Sequence, residues 1–222
     1  MVCKGLSCGL KRKIEFLTLT MAYYHDLITE KSWRRLQELK RKHNFVLIGG
    51  WAVYLYTKGL KSRDIDFICD YDELEKLKNE YDLIKNDRLK KYEIHDGEFD
   101  IDIYVPFFSD LGLPTEELSR MVQAKDGIVV LNPEPLLILK QNAYRSRAHS
   151  AKGEKDRIDI IALLISAADI GLYKNLLKKF NIERYADDIR VVIGQTRDVP
   201  ELGIKEHSFS KTKRRILAEL GL

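Results

Sequence analysis

Phe45-Val46-Leu47-Ile48-Gly49-Gly50, then Ser62-Arg63-Asp64-Ile65-Asp66-Phe67, then Phe99-Asp100-Ile101-Asp102-Ile103-Tyr104 are the stretches on which the reading of this chain turns. The first is a short apolar run stopped by two glycines, the pattern of a buried strand over 45–48. Trp51-Ala52-Val53-Tyr54-Leu55-Tyr56 continues as a helix over 50–58. Strand, glycine turn and helix together make a phosphate-binding geometry. Bare glycines let the backbone approach an anion, and a helix N-terminus supplies N–H donors and the positive end of a dipole. The same pair also serves as an ordinary tight turn at positive φ. It matches neither G-x-G-x-x-G nor G-x-x-x-x-G-K-[ST], so neither dinucleotide-fold nor P-loop assignment has support.

In a strand, residues i and i+2 share a face. Asp64 and Asp66 therefore project together from a strand over 65–69, while Ile65 and Phe67 turn into a core. Two carboxylates this close repel unless something neutralises them. Carboxylate oxygens suit Mg2+. Asp102 adds a third carboxylate from a later strand, with Asp100 as its alternative on the same face. Such a cluster can hold two ions roughly 3.5–4 Å apart. A calcium loop opening at Asp64 fails, because Ile68 stands where an oxygen ligand belongs and Cys69 where the loop needs Gly.

In this order and spacing the three stretches resemble the DNA polymerase beta-like nucleotidyltransferase superfamily. A second region sharpens the likeness. Pro133-Glu134-Pro135-Leu136 leads to Lys140, Ala143, Arg145 and Arg147, and Glu154-Lys155-Asp156-Arg157-Ile158-Asp159-Ile160 follows. This region looks like the helical part of the small prokaryotic nucleotidyltransferases related to abortive-infection (AbiEii-like) toxins. The resemblance covers about 45–165. It implies an α/β (α+β) fold, a mixed sheet with flanking helices followed by a helical C-terminal region. It implies a Mg2+- or Mn2+-dependent enzyme using two ions. Such an enzyme moves an NMP from ATP or another NTP to an acceptor hydroxyl, with pyrophosphate as product. By the same resemblance Asp64, Asp66 and Asp102 are the catalytic and metal-binding residues. Gly49, Gly50 and Ser62 hold the nucleotide, with Lys140 and Arg147 on its phosphates.

Composition sets the bounds. The chain has 222 residues, 45% hydrophobic and 32% charged, with 38 Lys and Arg against 34 Asp and Glu. That is globular, and the basicity is local rather than global. Lys11-Arg12-Lys13, Lys40-Arg41-Lys42 and Lys211-Thr212-Lys213-Arg214-Arg215 are the basic clusters. They read as solvated faces or as contacts to nucleic-acid phosphates. Cys3, Cys8 and Cys69 make no disulfide framework, which fits a reducing cytoplasm. No apolar run approaches the ~18 residues of a membrane span. Met21 reads as an alternative start, which would make residues 1–20 a disordered extension. His25, His43, His95, His149 and His207 show no metal spacing, so zinc chemistry is not expected.

The expected organisation is a catalytic domain over 21–110 and a mainly helical domain over 111–222. Ser32 is expected to cap a helix to about His43. Asp72 is expected to open a helix to Glu80, and a short strand to follow near 82–84. Lys91–His95 and Glu98–Val105 form a hairpin about Asp96-Gly97. Residues 107–126 read as loop with a short helix near 115–122, and Gly127–Leu131 as a strand. Helices are expected at 134–148, 155–168, 171–180, 183–194 and 209–220. On the first of these, Lys140, Tyr144 and Arg147 share a face, with Asp156 and Asp159 placed to orient those cations or to decorate the next helix.

Two other classes stay open. One is a catalytically silent nucleotide-binding or toxin–antitoxin component, with an antitoxin-like partner or a second copy. The other is a metal-dependent nuclease or phosphohydrolase. The acceptor is also open: RNA such as tRNA, a protein hydroxyl, or a small molecule.

Overall fold

A computed structural model describes residues 26–221, the side chain of Ser208 excepted. The readings of residues 1–20, of Met21, of Lys11-Arg12-Lys13, and of Cys3 and Cys8 lie outside the described residues. Helix α1 runs through 26–42, β1 spans Val46–Ile48 and α2 Gly49–Thr57. Then come β2 (Ile65–Ile68), α3 (Tyr71–Glu80), β3 (Ile84–Asn86), β4 (Lys91–Asp96) and β5 (Phe99–Tyr104). A short α4 (Thr115–Leu118) precedes β6 (Val122–Lys125) and β7 (Ile128–Leu131). The chain closes with α5 (Pro133–Arg147), α6 (Ala151–Ser166), α7 (Ile170–Lys179), α8 (Arg184–Gln195) and α9 (Glu206–Leu220). This is the expected α/β architecture: one mixed seven-stranded sheet, flanking helices and a helical C-terminal region.

The sheet order is β3-β4-β5-β2-β1-β7-β6. β1 pairs antiparallel with β2 and parallel with β7, while β2 and β5 run parallel. The central strands are buried on both faces, hence the apolar Leu47-Ile48 and Ile65, Phe67 and Ile68. Helix α2 is sandwiched too, packing on β2, α5 and α6. That is why Trp51, Ala52, Val53 and Leu55 are all buried rather than confined to one stripe.

The termini of the elements follow local chemistry. Asp70 accepts from the Glu73 N–H at 2.8 Å and starts α3. Ser150 accepts from the Gly153 N–H at 3.0 Å and starts α6, four residues ahead of the expected position. Gly153 is obligatory at that corner, since a Cβ there would lie 2.0 Å from the Arg147 carbonyl.

Two expectations are corrected. Ser32 does not cap α1. It sits inside the helix, fully buried, and accepts from the Trp51 indole N–H at 2.9 Å. Its neighbours Ile28, Leu36 and Leu39 lie on the buried stripe of α1, so tertiary packing rather than capping fixes this serine. Residues 122–125 are a strand, not loop. Asp126 and Gly127 both adopt positive φ and close a hairpin from β6 to β7. The polar Val-Gln-Ala-Lys run belongs to an edge strand with little to bury. The β4–β5 hairpin turns at Gly97-Glu98, with Gly97 at φ +67°, one residue later than expected. Among the described residues no single helix is long and apolar enough to cross a membrane.

Candidate active site

The C-terminal end of β1 and the first half of β2 meet because the two strands are antiparallel neighbours, with Ile48 opposite Asp66. β5 lies on the other side of β2 in parallel register, with Asp66 directly opposite Asp102. Side chains of in-register parallel residues share a face, so these two carboxylates stand side by side. The turn into α2 closes over them. A Cβ on Gly49, at φ +67°, would meet the Asp66 Oδ2 at 2.1 Å. Gly49 is thus required twice, for its backbone conformation and for the space Asp66 occupies.

Substitution tests this double requirement. Gly97 has the same φ of +67°, but among the described residues nothing lies within 4 Å of its would-be Cβ. Gly97→Ala is expected to cost only the left-handed penalty, about 1–2 kcal/mol. Gly49→Ala should cost visibly more, because Asp66 must also be displaced. Thermal melts of the two variants side by side measure the difference, and equal melting temperatures would refute it.

The second glycine faces cations. A Cβ on Gly50 would lie 2.5 Å from the Ser62 Oγ and 2.7 Å from the Lys155 Nζ. Lys155, from α6, donates to the buried Ser62 hydroxyl at 3.2 Å. Burial lowers the pKa of this amine, and the neighbouring Lys140 adds to that, against the pull of Asp159, Asp66 and Asp156. A lysine held at the N-terminus of α2 beside a bare glycine turn is an anion-binding arrangement.

Lys140 is placed differently. Its Nζ lies 2.7 Å from the Asp159 Oδ2 and 3.3 Å from the Asp156 Oδ1. Burial opposes its charge, but the two aspartates outweigh burial and raise its pKa to about 12. Arg147 Nε binds the other oxygen of Asp156 at 2.7 Å. The four charges form one network between α5 and α6, adjoining Asp66, with Lys140, Asp156 and Asp159 buried and Arg147 at its exposed rim.

The carboxylates carry the marks of crowding. Burial raises the pKa of Asp66, and Asp64 adds to the rise, while Lys140, Lys155 and Lys91 pull the other way. Burial, then repulsion from Asp66, pushes Asp102 up to about 7, despite its 2.6 Å ion pair with Lys91. Lys91 is shared with Glu93 at 2.8 Å. The remaining oxygen of Asp102, Oδ1, is buried with no hydrogen-bond partner among the described residues. Asp64 lies one residue before β2. Its Oδ2 pairs with Lys152 at 3.4 Å, and its Oδ1 accepts from the Asp100 N–H at 3.4 Å. Asp100 turns to the exposed His95, 2.7 Å away.

The sequence-selected residues Gly49, Gly50, Ser62, Asp64, Asp66, Asp102, Lys140 and Arg147 are thus brought to one region, and Asp100 stands at its margin. Lys155, Lys91 and Lys152 were not selected from the sequence. Lys155 lies in the quoted Glu154-Lys155-Asp156 stretch, which was its signal. Lys91 opens a hairpin strand, and nothing in its local sequence marks it.

Among the described residues no three His, Cys, Asp or Glu side chains converge as a ready-made metal cage. The donor chemistry nonetheless fits a hard divalent cation. Two adjacent oxygen donors repel each other, and one oxygen is buried without a partner.

No protein-family model matches the chain, and no curated protein matches it. Several solved structures are similar. A candidate nucleotidyltransferase from H. pylori is 18% identical over 88% of this chain and 96% of its own, with a TM-score of 0.49. An antigenic nucleotidyltransferase-like protein from Paracoccidioides brasiliensis is 16% identical over 63% of this chain and 76% of its own, with a TM-score of 0.39. The Megavirus polyadenylate synthase is 17% identical over 74% of this chain and 38% of its own, with a TM-score of 0.46.

Proposed function

We propose that this chain is a nucleotidyltransferase that moves an NMP from an NTP to an acceptor hydroxyl and releases pyrophosphate. The observation that carries the reading is the in-register pair Asp66 and Asp102, set against the Gly49-Gly50 turn with Lys155 over it. Carboxylates alone would equally serve a hydrolase. Carboxylates abutting a glycine turn, a helix N-terminus and a buried lysine favour a substrate that brings its own polyphosphate.

In this reading the triphosphate lies along Gly49, Gly50, Ser62 and Lys155, with backbone N–H groups of α2 donating to it. Lys140 and Arg147 stand beside it, held in place by Asp156 and Asp159, which offset their charge. Asp66 and Asp102, with Asp64 released from Lys152, would hold Mg2+, which when bound neutralises the phosphates and the acceptor oxygen. Asp102 is the group placed to take the acceptor hydroxyl's proton. The remaining contribution is orientation of acceptor and α-phosphorus in line. The α5–α6 network supports grouping the chain with the small prokaryotic enzymes, because both stretches of that resemblance meet here.

Label transfer tests it. The protein with Mg2+ or Mn2+ and each α-labelled NTP is expected to move label into one of three pools: RNA, protein or small molecules. The Asp66→Asn variant should not. Label in no pool, or release of free phosphate in its place, would overturn the reading.

A further inference from the structure

We infer that the β3 edge of the sheet binds single-stranded nucleic acid and feeds its end to Asp102, which makes a polynucleotide the acceptor. The acceptor role rests on the transferase reading above; the binding surface does not.

β3 is an edge strand, and the β3–β4 segment from Lys85 to Lys91 carries four cations against one carboxylate, Asp87. Those cations are interleaved with rings. Lys85 Nζ lies 4.8 Å and Lys90 Nζ 5.3 Å from the centre of the Phe108 ring, and Phe108 packs on Tyr92 at 5.5 Å. Lys78 lies over Tyr92 at 5.8 Å. Lys78 and Lys85 are partnered by Glu75 and Asp87, whereas Arg88 and Lys90 have no carboxylate within ion-pair distance among the described residues.

Beside this group stands Phe107, 85% exposed at φ +63°. Tyr71, also exposed, donates to the Pro106 carbonyl at 3.0 Å and so stands next to it. A bulky residue held in the left-handed region with its ring in water is strain without local benefit, the pattern found at ligand contacts. Exposed rings among cations suit unpaired bases, which stack while their phosphates meet lysine and arginine. An acidic peptide would use the charges but has no need of free rings.

The surface meets the site only around the edge of the sheet. Lys85 and Tyr92 lie on the face carrying Phe108. Their neighbours Asn86 and Lys91 lie on the opposite face, in register with each other, and Lys91 reaches Asp102. From β3 to β5 is two strand spacings, roughly 10 Å. A strand crossing this edge arrives at Asp102 from the side away from Gly49, opposite the proposed triphosphate.

The test is fluorescence anisotropy of the full chain with labelled 15-mer RNA and DNA single strands and a blunt duplex, without NTP or divalent cation. Single strands are expected to bind better than duplex. Phe107→Ala should weaken single-strand binding about 5- to 150-fold. A Lys85→Ala/Lys90→Ala variant should flatten the slope of log affinity against log salt by about 1.4. All three side chains are on the surface, so melting temperatures and NTP affinity should not move. Unchanged RNA and DNA affinities in both variants, preference for duplex, or no binding at low salt would overturn the surface. A poly-glutamate peptide that competes equally, with no loss in Phe107→Ala, would replace it with a protein partner. Single strands bound, but label transferred only to protein or small molecules, would overturn the acceptor role alone. NTP binding lost from the unmodified chain would count against the transferase reading, not against this surface.

Discussion

Asp102→Asn is expected to lower transfer by about 10²–10⁴-fold and, in the absence of divalent cation, to make the protein more stable at pH 8. The first effect follows from the proposed role of Asp102 in proton removal. The second follows from the fold. Asp102 stands in register with Asp66, and burial together with that repulsion raises its pKa from 3.8 to about 7. A carboxyl whose folded pKa exceeds its unfolded one binds more protons in the native state. Stability therefore falls as pH rises between those two values. The penalty is small near pH 4, grows through pH 7 and levels off above it, reaching a few kcal/mol at ~1.4 kcal/mol per pKa unit. Asparagine removes it, and Lys91 keeps Glu93 as a partner. Melts from pH 4 to pH 8 should thus diverge, with wild type falling relative to the variant. Mg2+ should raise the wild-type melting temperature at pH 8 and leave the variant's nearly unmoved. Parallel melting curves would mean that the two carboxylates are not strained against each other.

Much of this arrangement is legible in the sequence because strand periodicity is strict. Alternation alone puts Asp64, Asp66, Asp100 and Asp102 on polar faces, and the apolar runs beside them can only be central strands. Which of Asp100 and Asp102 meets Asp66 depends on register between two strands over thirty residues apart, which local pattern does not encode. The lysines were legible only in part for the same reason. Lys155 becomes a site residue because α6 packs on α2, and Lys91 because β4 pairs with β5. Ser32 misled because a serine before an apolar stripe looks like a cap until the Trp51 indole reaches it. β6 was missed because an edge strand need not alternate, although Asp126-Gly127 was a hairpin signal in plain view.

Lys140→Met is expected to destabilise the protein by about 3–5 kcal/mol, more than a phosphate contact alone would explain. Lys140 is 9% exposed, and its two partners, Asp156 and Asp159, are 2% and 1% exposed. Methionine matches the lysine stem in volume, so no cavity opens. What is lost is the cation that two buried aspartates share. Arg147 still reaches Asp156 at 2.7 Å, but no second cation is within ion-pair distance of Asp159 among the described residues. Asp159 is then left in the interior without its ion-pair partner, which is the costly case. Lys140→Met/Asp159→Asn should recover much of the loss, because no unpaired buried carboxylate then remains. Lys155→Met gives the contrast. Burial depresses that lysine, and no carboxylate lies within ion-pair distance of it among the described residues, so its removal should leave the melting temperature level or higher while weakening NTP binding. If instead Lys155→Met unfolds the protein and Lys140→Met spares it, the assignment is reversed: Lys140 grips phosphate and Lys155 holds the fold.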